Sequence, residues 1–226
     1  YRVEATGIVN GNGSSTGSVN WDKILEDANK NPESMKHKEQ VKSSFIGIGT
    51  DGKPVNMDLW RPNKQEDGTW GIFSCESSYA HEYAYDGGID DDGKIVGKIP
   101  QYIYNGEEGK FTEVTNLSYA FVRCTGLRIA PEIPSSVKYM EGTFHMCTNL
   151  TTAPKISSNV TCMFATFSGC TNLTGEVCID ANLDSNDWKS SSSCFADTTK
   201  PIQLTGTCPI LSDLAETSSN RNVTVK

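Results

Sequence analysis

From residue 112 onward, apolar residues return at a fixed interval. Phe121, Phe144 and Phe167 are spaced by 23 residues, and so are Cys124, Cys147 and Cys170, and Leu127, Leu150 and Leu173. The same step links Val114, Val137 and Val160, then Leu117, Met140 and Met163, then Ile133, Ile156 and Ile179, with Thr125, Thr148 and Thr171 as a polar column. A unit this short cannot bury its own apolar side; stacked units can, which predicts a solenoid. Leu117, Phe121 and Cys124 fall at i, i+4 and i+7, one face of a short helix. Leu150-Thr151-Thr152-Ala153-Pro154 has no such period, and its proline limits it to a short strand. The expectation is therefore an α/β solenoid of about four rungs, with one helical turn and one short parallel strand per rung. In the fourth rung the step from Phe167 to Phe195 is 28, so five residues must loop out within 182–188. Thr198 there replaces the column cysteine. Pro201-Ile202-Gln203-Leu204 supplies the last strand, and Ile210, Leu211, Leu214 and residues 222–225 close the core.

The first half patterns differently. Residues 1–19 are rich in Gly, Ser and Asn and read as flexible. Trp21, Ile24, Leu25 and Ala28 form one apolar stripe behind Asn20 as N-cap, predicting a helix over 21–30, with a weaker candidate at 33–42. Strands are expected at 44–48, along Val55, Met57 and Leu59, at 69–73, at 94–99 and at Tyr102-Ile103-Tyr104. The turn signals Asp51-Gly52, Asp67-Gly68 and Asp92-Gly93 separate them. Residues 1–111 thus predict an α+β domain with an antiparallel meander, and residues 112–226 the repeat with its cap.

The repeat unit resembles the leucine-rich repeat of BspA-like bacterial surface proteins. The F-x-x-C-x-x-L core and the P-x-I-P/S-S-x-V segment carry the resemblance over residues 112 to about 210. It implies a secreted or cell-surface protein that takes part in adhesion to host or other cells, with a surface protein or a glycan as partner. A helix feeding an antiparallel sheet is also similar to the head of pilin-like proteins. That likeness implies the alternative of a structural subunit or tip of a surface filament, with an anchor or filament helix upstream of Tyr1.

Composition narrows the classes. The 226 residues carry 20 Lys+Arg against 28 Asp+Glu, a net charge of −8, which argues against nucleic acid as a partner. No apolar run reaches the ~18–20 residues of a membrane helix. His37, His81 and His145 lie in unrelated segments, and no nucleophile elbow, phosphate loop or H-E-x-x-H occurs, so neither an enzyme nor a cofactor is expected. The cysteine column reads as buried thiols aligned too nearly parallel for disulfides, and off-column Cys162, Cys178, Cys194 and Cys208 leave room for one bridge. The loop 86–93 is acidic but lacks calcium spacing, since Gly88 stands where the first Asp belongs. Of the six N-x-S/T sites, Asn149 and Asn172 share a repeat column and read as turn caps. Candidate contacts are Tyr79, Tyr83 and Tyr85 in an aromatic loop, for which packing within the first domain is an equal alternative, and the outward column Arg128, Thr151 and Thr174; Glu132 and Lys155 on adjacent rungs are placed to pair.

Overall fold

The computed structural model describes residues 45–72, 85, 88–105 and 109–226. The helices expected over 21–30 and 33–42 and the flexible start lie outside these residues, as do Cys75, Tyr79, His81 and Tyr83. The described chain is mostly β. A curled, mixed six-stranded sheet contains β1 (Phe45–Ile48), β2 (Pro54–Val55), β3 (Pro62–Lys64), β4 (Trp70–Ile72), β5 (Tyr102–Asn105) and β6 (Lys110–Asn116), in the order β2-β1-β5-β6-β4-β3. A three-stranded parallel sheet follows, formed by β7 (Gly175–Cys178), β8 (Ile202–Thr205) and β9 (Val223–Val225). Among the described residues, α-helix is confined to α1 (Trp188–Ser191) and α2 (Leu211–Glu216).

This architecture corrects the α/β solenoid expected from the period. The repeat units contain no helix where Leu117, Phe121 and Cys124 suggested one. Their backbone alternates between two kinds of bond. The N–H groups of Ala120, Val122, Cys124 and Leu127 close tight turns onto carbonyls three residues back. Those of Leu117, Tyr119, Phe121 and Arg123 instead reach the next unit, at the carbonyls of Tyr139, Glu141, Thr143 and His145. Left-handed residues enforce the alternation, at Tyr119 (φ 57°) and Arg123 (φ 58°), then at Gly142 and Met146, Ala165 and Gly169, and Ser193 and Asp197. A right-handed helix cannot pass through such residues. The expected strand in each unit also shrinks. Between the earlier units there are only isolated parallel bridges, such as Ile129 with Thr152 and Tyr139 with Cys162, and regular pairing begins at β7.

The period nonetheless superposes equivalent side chains. Phe121, Phe144, Phe167 and Phe195 form one stack, with centroids 5.5 Å, 5.6 Å and 5.5 Å apart and near-parallel planes, and all four are fully buried. Leu127, Leu150 and Leu173 are equally buried, as are Val114, Val137 and Val160. Burying each such side chain is worth about 1.5–3 kcal/mol, against about 1–2 kcal/mol for each non-glycine residue held left-handed. Several core positions per unit therefore outweigh two strained ones. Where the expected five extra residues fall, the chain makes a loop and then α1, and β8 and β9 continue the stack beneath α2.

In the first half, β1 and β4 lie within the expected strands, and β5 covers its expected strand and one residue more, Asn105. The expected second strand is only Pro54–Val55. After it, Asn56 accepts the Asp58 N–H through its side chain and turns Met57–Leu59 into a 3-10 turn. Residues 94–99 form no strand; Gly93 and Gly97 take positive φ and only Ile95 bridges, to Ile89. The sheet is mixed, because β4 runs parallel to β6. β6 crosses residue 111. It pairs with β5 and β4, and its Thr115 carbonyl accepts the N–H groups of Lys138 and Tyr139 in the second unit. Trp60 and Tyr85, from the sheet side, close over Phe121 at 5.8 Å and 5.6 Å.

Two stability outcomes follow. Phe144→Ala, which removes a ring with two stacked neighbours, should cost about 3–5 kcal/mol by urea unfolding, and Phe195→Ala, with one, should cost less. Gly142→Ala should destabilise, because the added methyl would overlap the Tyr119 ring, whereas Ala165→Gly should stabilise by up to about 1 kcal/mol by relieving its left-handed backbone.

Candidate binding surface

The unit-to-unit bonds that fix the stack also decide which side chains remain for a partner. Buried Thr143 and Thr166 donate to the carbonyls of Leu117 and Met140 one unit back, at 2.9 Å and 2.8 Å. The thiols of Cys147 and Cys170 do the same to Phe121 and Phe144, at 3.0 Å and 3.1 Å. All seven described cysteines are free thiols. Burial pushes the Cys124 thiol up to about 11 and that of Cys170 up to about 12, and raises Cys147 and Cys194 as well. Thiolate chemistry is thereby suppressed along the column. In the fourth unit Thr198 replaces the column cysteine and donates instead within its own unit, to the Phe195 carbonyl at 2.8 Å.

On the outside, Asn149 donates its side-chain amide to the Thr125 carbonyl at 2.8 Å and Asn172 to that of Thr148 at 3.0 Å. They tie neighbouring units together rather than capping their own turns. Arg128, Thr151 and Thr174 come together as one exposed column. Thr151 N–H and Oγ1 both reach the Arg128 carbonyl, at 2.8 Å and 2.9 Å, and Thr174 N–H reaches the Thr151 carbonyl at 3.3 Å. Arg128 lies across Gly93 and donates from its guanidinium to the Asp91 carbonyl, which anchors the 90–93 turn against the first unit. The Asp90 carboxylate in that turn accepts the Lys94 N–H at 2.9 Å.

Tyr85 is placed differently from the contact role expected of it. It is 4% exposed, packs on Trp60 at 4.8 Å, and its hydroxyl lies 2.7 Å and 2.8 Å from the carbonyls of Gly88 and Val96. Tyr79 and Tyr83 lie outside the described residues. Lys155 pairs with Asp180 at 3.0 Å instead of with Glu132, and this ammonium holds the Asp180 carboxyl below the usual carboxylate range.

Sequence reasoning singled out neither Trp188, the most exposed large apolar side chain among the described residues at 62%, nor Tyr139 at 43%. The break in the period just before Trp188 was the available signal for the first. Among the described residues no group of three or more His, Cys, Asp or Glu is arranged to hold a metal ion, and no helix is long and apolar enough to cross a membrane. Compared with protein-family models, curated proteins and solved structures, the chain matches none.

His145 is half-buried, and its Nδ1 has no hydrogen-bond partner. Burial, with Arg123 nearby, lowers its pKa from 6.5, against the opposing effects of the Ser168 backbone and Asp197. The unfolded chain therefore binds this proton more readily, so the stability contributed by neutral His145 is complete above pH 6.5 and declines as pH falls through the interval below it. Urea midpoints measured from about pH 7.5 to 5 should fall less steeply in His145→Gln than in the parent chain.

Proposed function

We propose that the chain is a non-enzymatic, secreted or cell-surface bacterial adhesion module that presents its repeat ladder to a partner. The observation that supports this most directly is the exposed Arg128–Thr151–Thr174 column. Its backbone is locked from unit to unit by hydrogen bonds over a dry aromatic stack. Side chains on a backbone fixed in this way lose little freedom on binding, which favours recognition by a preorganised surface. The likeness of the F-x-x-C-T-x-L unit to BspA-like surface proteins supports the same reading. The net charge of −8 points the surface toward protein or glycan rather than nucleic acid.

The test is retention of the purified chain on host epithelial cells and on bacterial cells. Retention is expected, and the combined change Arg128→Gln, Thr151→Ala and Thr174→Ala should weaken it about tenfold or more while the chain stays folded by circular dichroism, with a lower melting temperature from the lost Asp91, Arg128 and Pro201 carbonyl bonds. A parent chain that adheres to neither surface would overturn the reading.

A further inference from the structure

The break in the period leaves a piece of structure that the stack does not require. Between Phe167 and Phe195 the step lengthens from 23 to 28 residues. Leu183, 23 residues after Val160, holds the buried position of that column, and Trp188 falls at the end of the inserted stretch with its indole 62% exposed. The interior is filled without it, by Leu183 at 4% and Ser190 at 1% exposure. Packing therefore does not account for a large aromatic side chain here.

The indole is nonetheless held. It meets the half-buried ring of Phe164 edge-on, with centroids 5.5 Å apart and planes at 90°. The turn leading into it is fixed as well. Asn186 brings both its backbone N–H and its Nδ2 to the Asp184 Oδ1, at 2.8 Å and 3.0 Å, and Ser190 Oγ donates to the Asp184 carbonyl at 2.6 Å. Both Asn186 bonds fall on one carboxylate oxygen. The exposed turn thus presents Asp184 Oδ2 and Asn186 Oδ1 as acceptors and a second Asn186 amide hydrogen as a donor.

A supported, exposed indole within four residues of a carboxylate and a primary amide held in one turn supplies the chemistry that recognises a sugar ring. The C–H face of a pyranose lies on the indole, and neighbouring hydroxyls donate to the carboxylate and exchange bonds with the amide. Rigidity of the indole and of the turn limits the ordering cost of such a contact. Exposed Asp184 and Asp187 and the net charge of −8 disfavour sulfated, sialylated or phosphorylated sugars. A protein partner is the less fitting occupant, since the residues leading into the indole, from Asp184 to Asp187, are all exposed and polar rather than an apolar interface core. We infer that Trp188, with Asp184 and Asn186, binds a neutral pyranose of a glycan. The inference rests on the adhesion reading above and gives that reading a ligand class.

The test is titration of the full chain with cellohexaose, mannohexaose, maltohexaose and N-acetylchitohexaose, with a heparin fragment as the anionic control. Indole N–H resonances report binding, and the Trp188 signal is assigned as the one lost in Trp188→Tyr. At least one neutral oligosaccharide should shift that signal. Trp188→Ala should weaken its binding about tenfold or more and Trp188→Tyr by a few-fold, with the melting temperature of Trp188→Ala falling by only a few degrees, since the side chain is largely exposed apart from its Phe164 contact. Four results would overturn the inference: no neutral oligosaccharide moving the Trp188 resonance, the heparin fragment binding more tightly, Trp188→Ala binding as the parent does, or Trp188→Ala acting only by dissolving a self-association seen in sedimentation. Cell retention of Trp188→Ala separates the two readings, because retention without any sugar binding removes the glycan and leaves adhesion standing.

Discussion

Ring-on-ring contact between four phenylalanines is the constraint on which the repeat region depends. Each ring sits about one unit above the last with its plane nearly parallel, so Phe121, Phe144, Phe167 and Phe195 fix both the rise and the rotation between units. Trp60 and Tyr85 close the stack at Phe121 and tie it to the six-stranded sheet. Around this axis the backbone accepts conformations that L-residues avoid, because burial of a Phe and further apolar side chains in every unit exceeds the local strain. The strain is shared among residues of very different size, from Gly142 to Tyr119, which shows that the stack and not local preference sets the backbone.

The period was legible because burial enforces it, but the secondary structure was not. Leu117, Phe121 and Cys124 have helical spacing, yet the same spacing arises when a chain folds back in tight turns that send every other N–H to the next unit. The left-handed columns could have been suspected only from Gly142 and Gly169, since the other six positions carry ordinary side chains. In the first half, β1, β4 and β5 follow their apolar pattern. β6 does not alternate, since Phe111, Val114 and Thr115 are its buried residues, and Val114 also belongs to the repeat, so the strand carried no period of two to read. β3 has no apolar pattern at all; Pro62–Lys64 becomes a strand through its pairing with β4, which is a tertiary effect.

The candidate surface was legible in part for the same reason. Periodicity placed Arg128, Thr151 and Thr174 in one outward column, and they lie there. Aromatic residues among serines suit either a contact loop or packing within the first half, and Tyr85 takes the second course, its ring lying over Phe121. Asn149 and Asn172 show how polar residues serve the ladder. Their amides satisfy backbone carbonyls that a regular strand would have paired, which leaves the amide nitrogen committed even though both lie in glycosylation sequons.

The sameness of the contacts between units bears on how such a molecule changes length. A unit inserted between the second and third would meet on each side a phenylalanine, a leucine, a thiol donor and a left-handed turn like those it displaced. Duplication of a single 23-residue stretch would therefore lengthen the ladder by one step, adding a further outward row without disturbing the sheet at one side or α2 and β9 at the other. Reach, rather than chemistry, is what this construction leaves easiest for evolution to adjust.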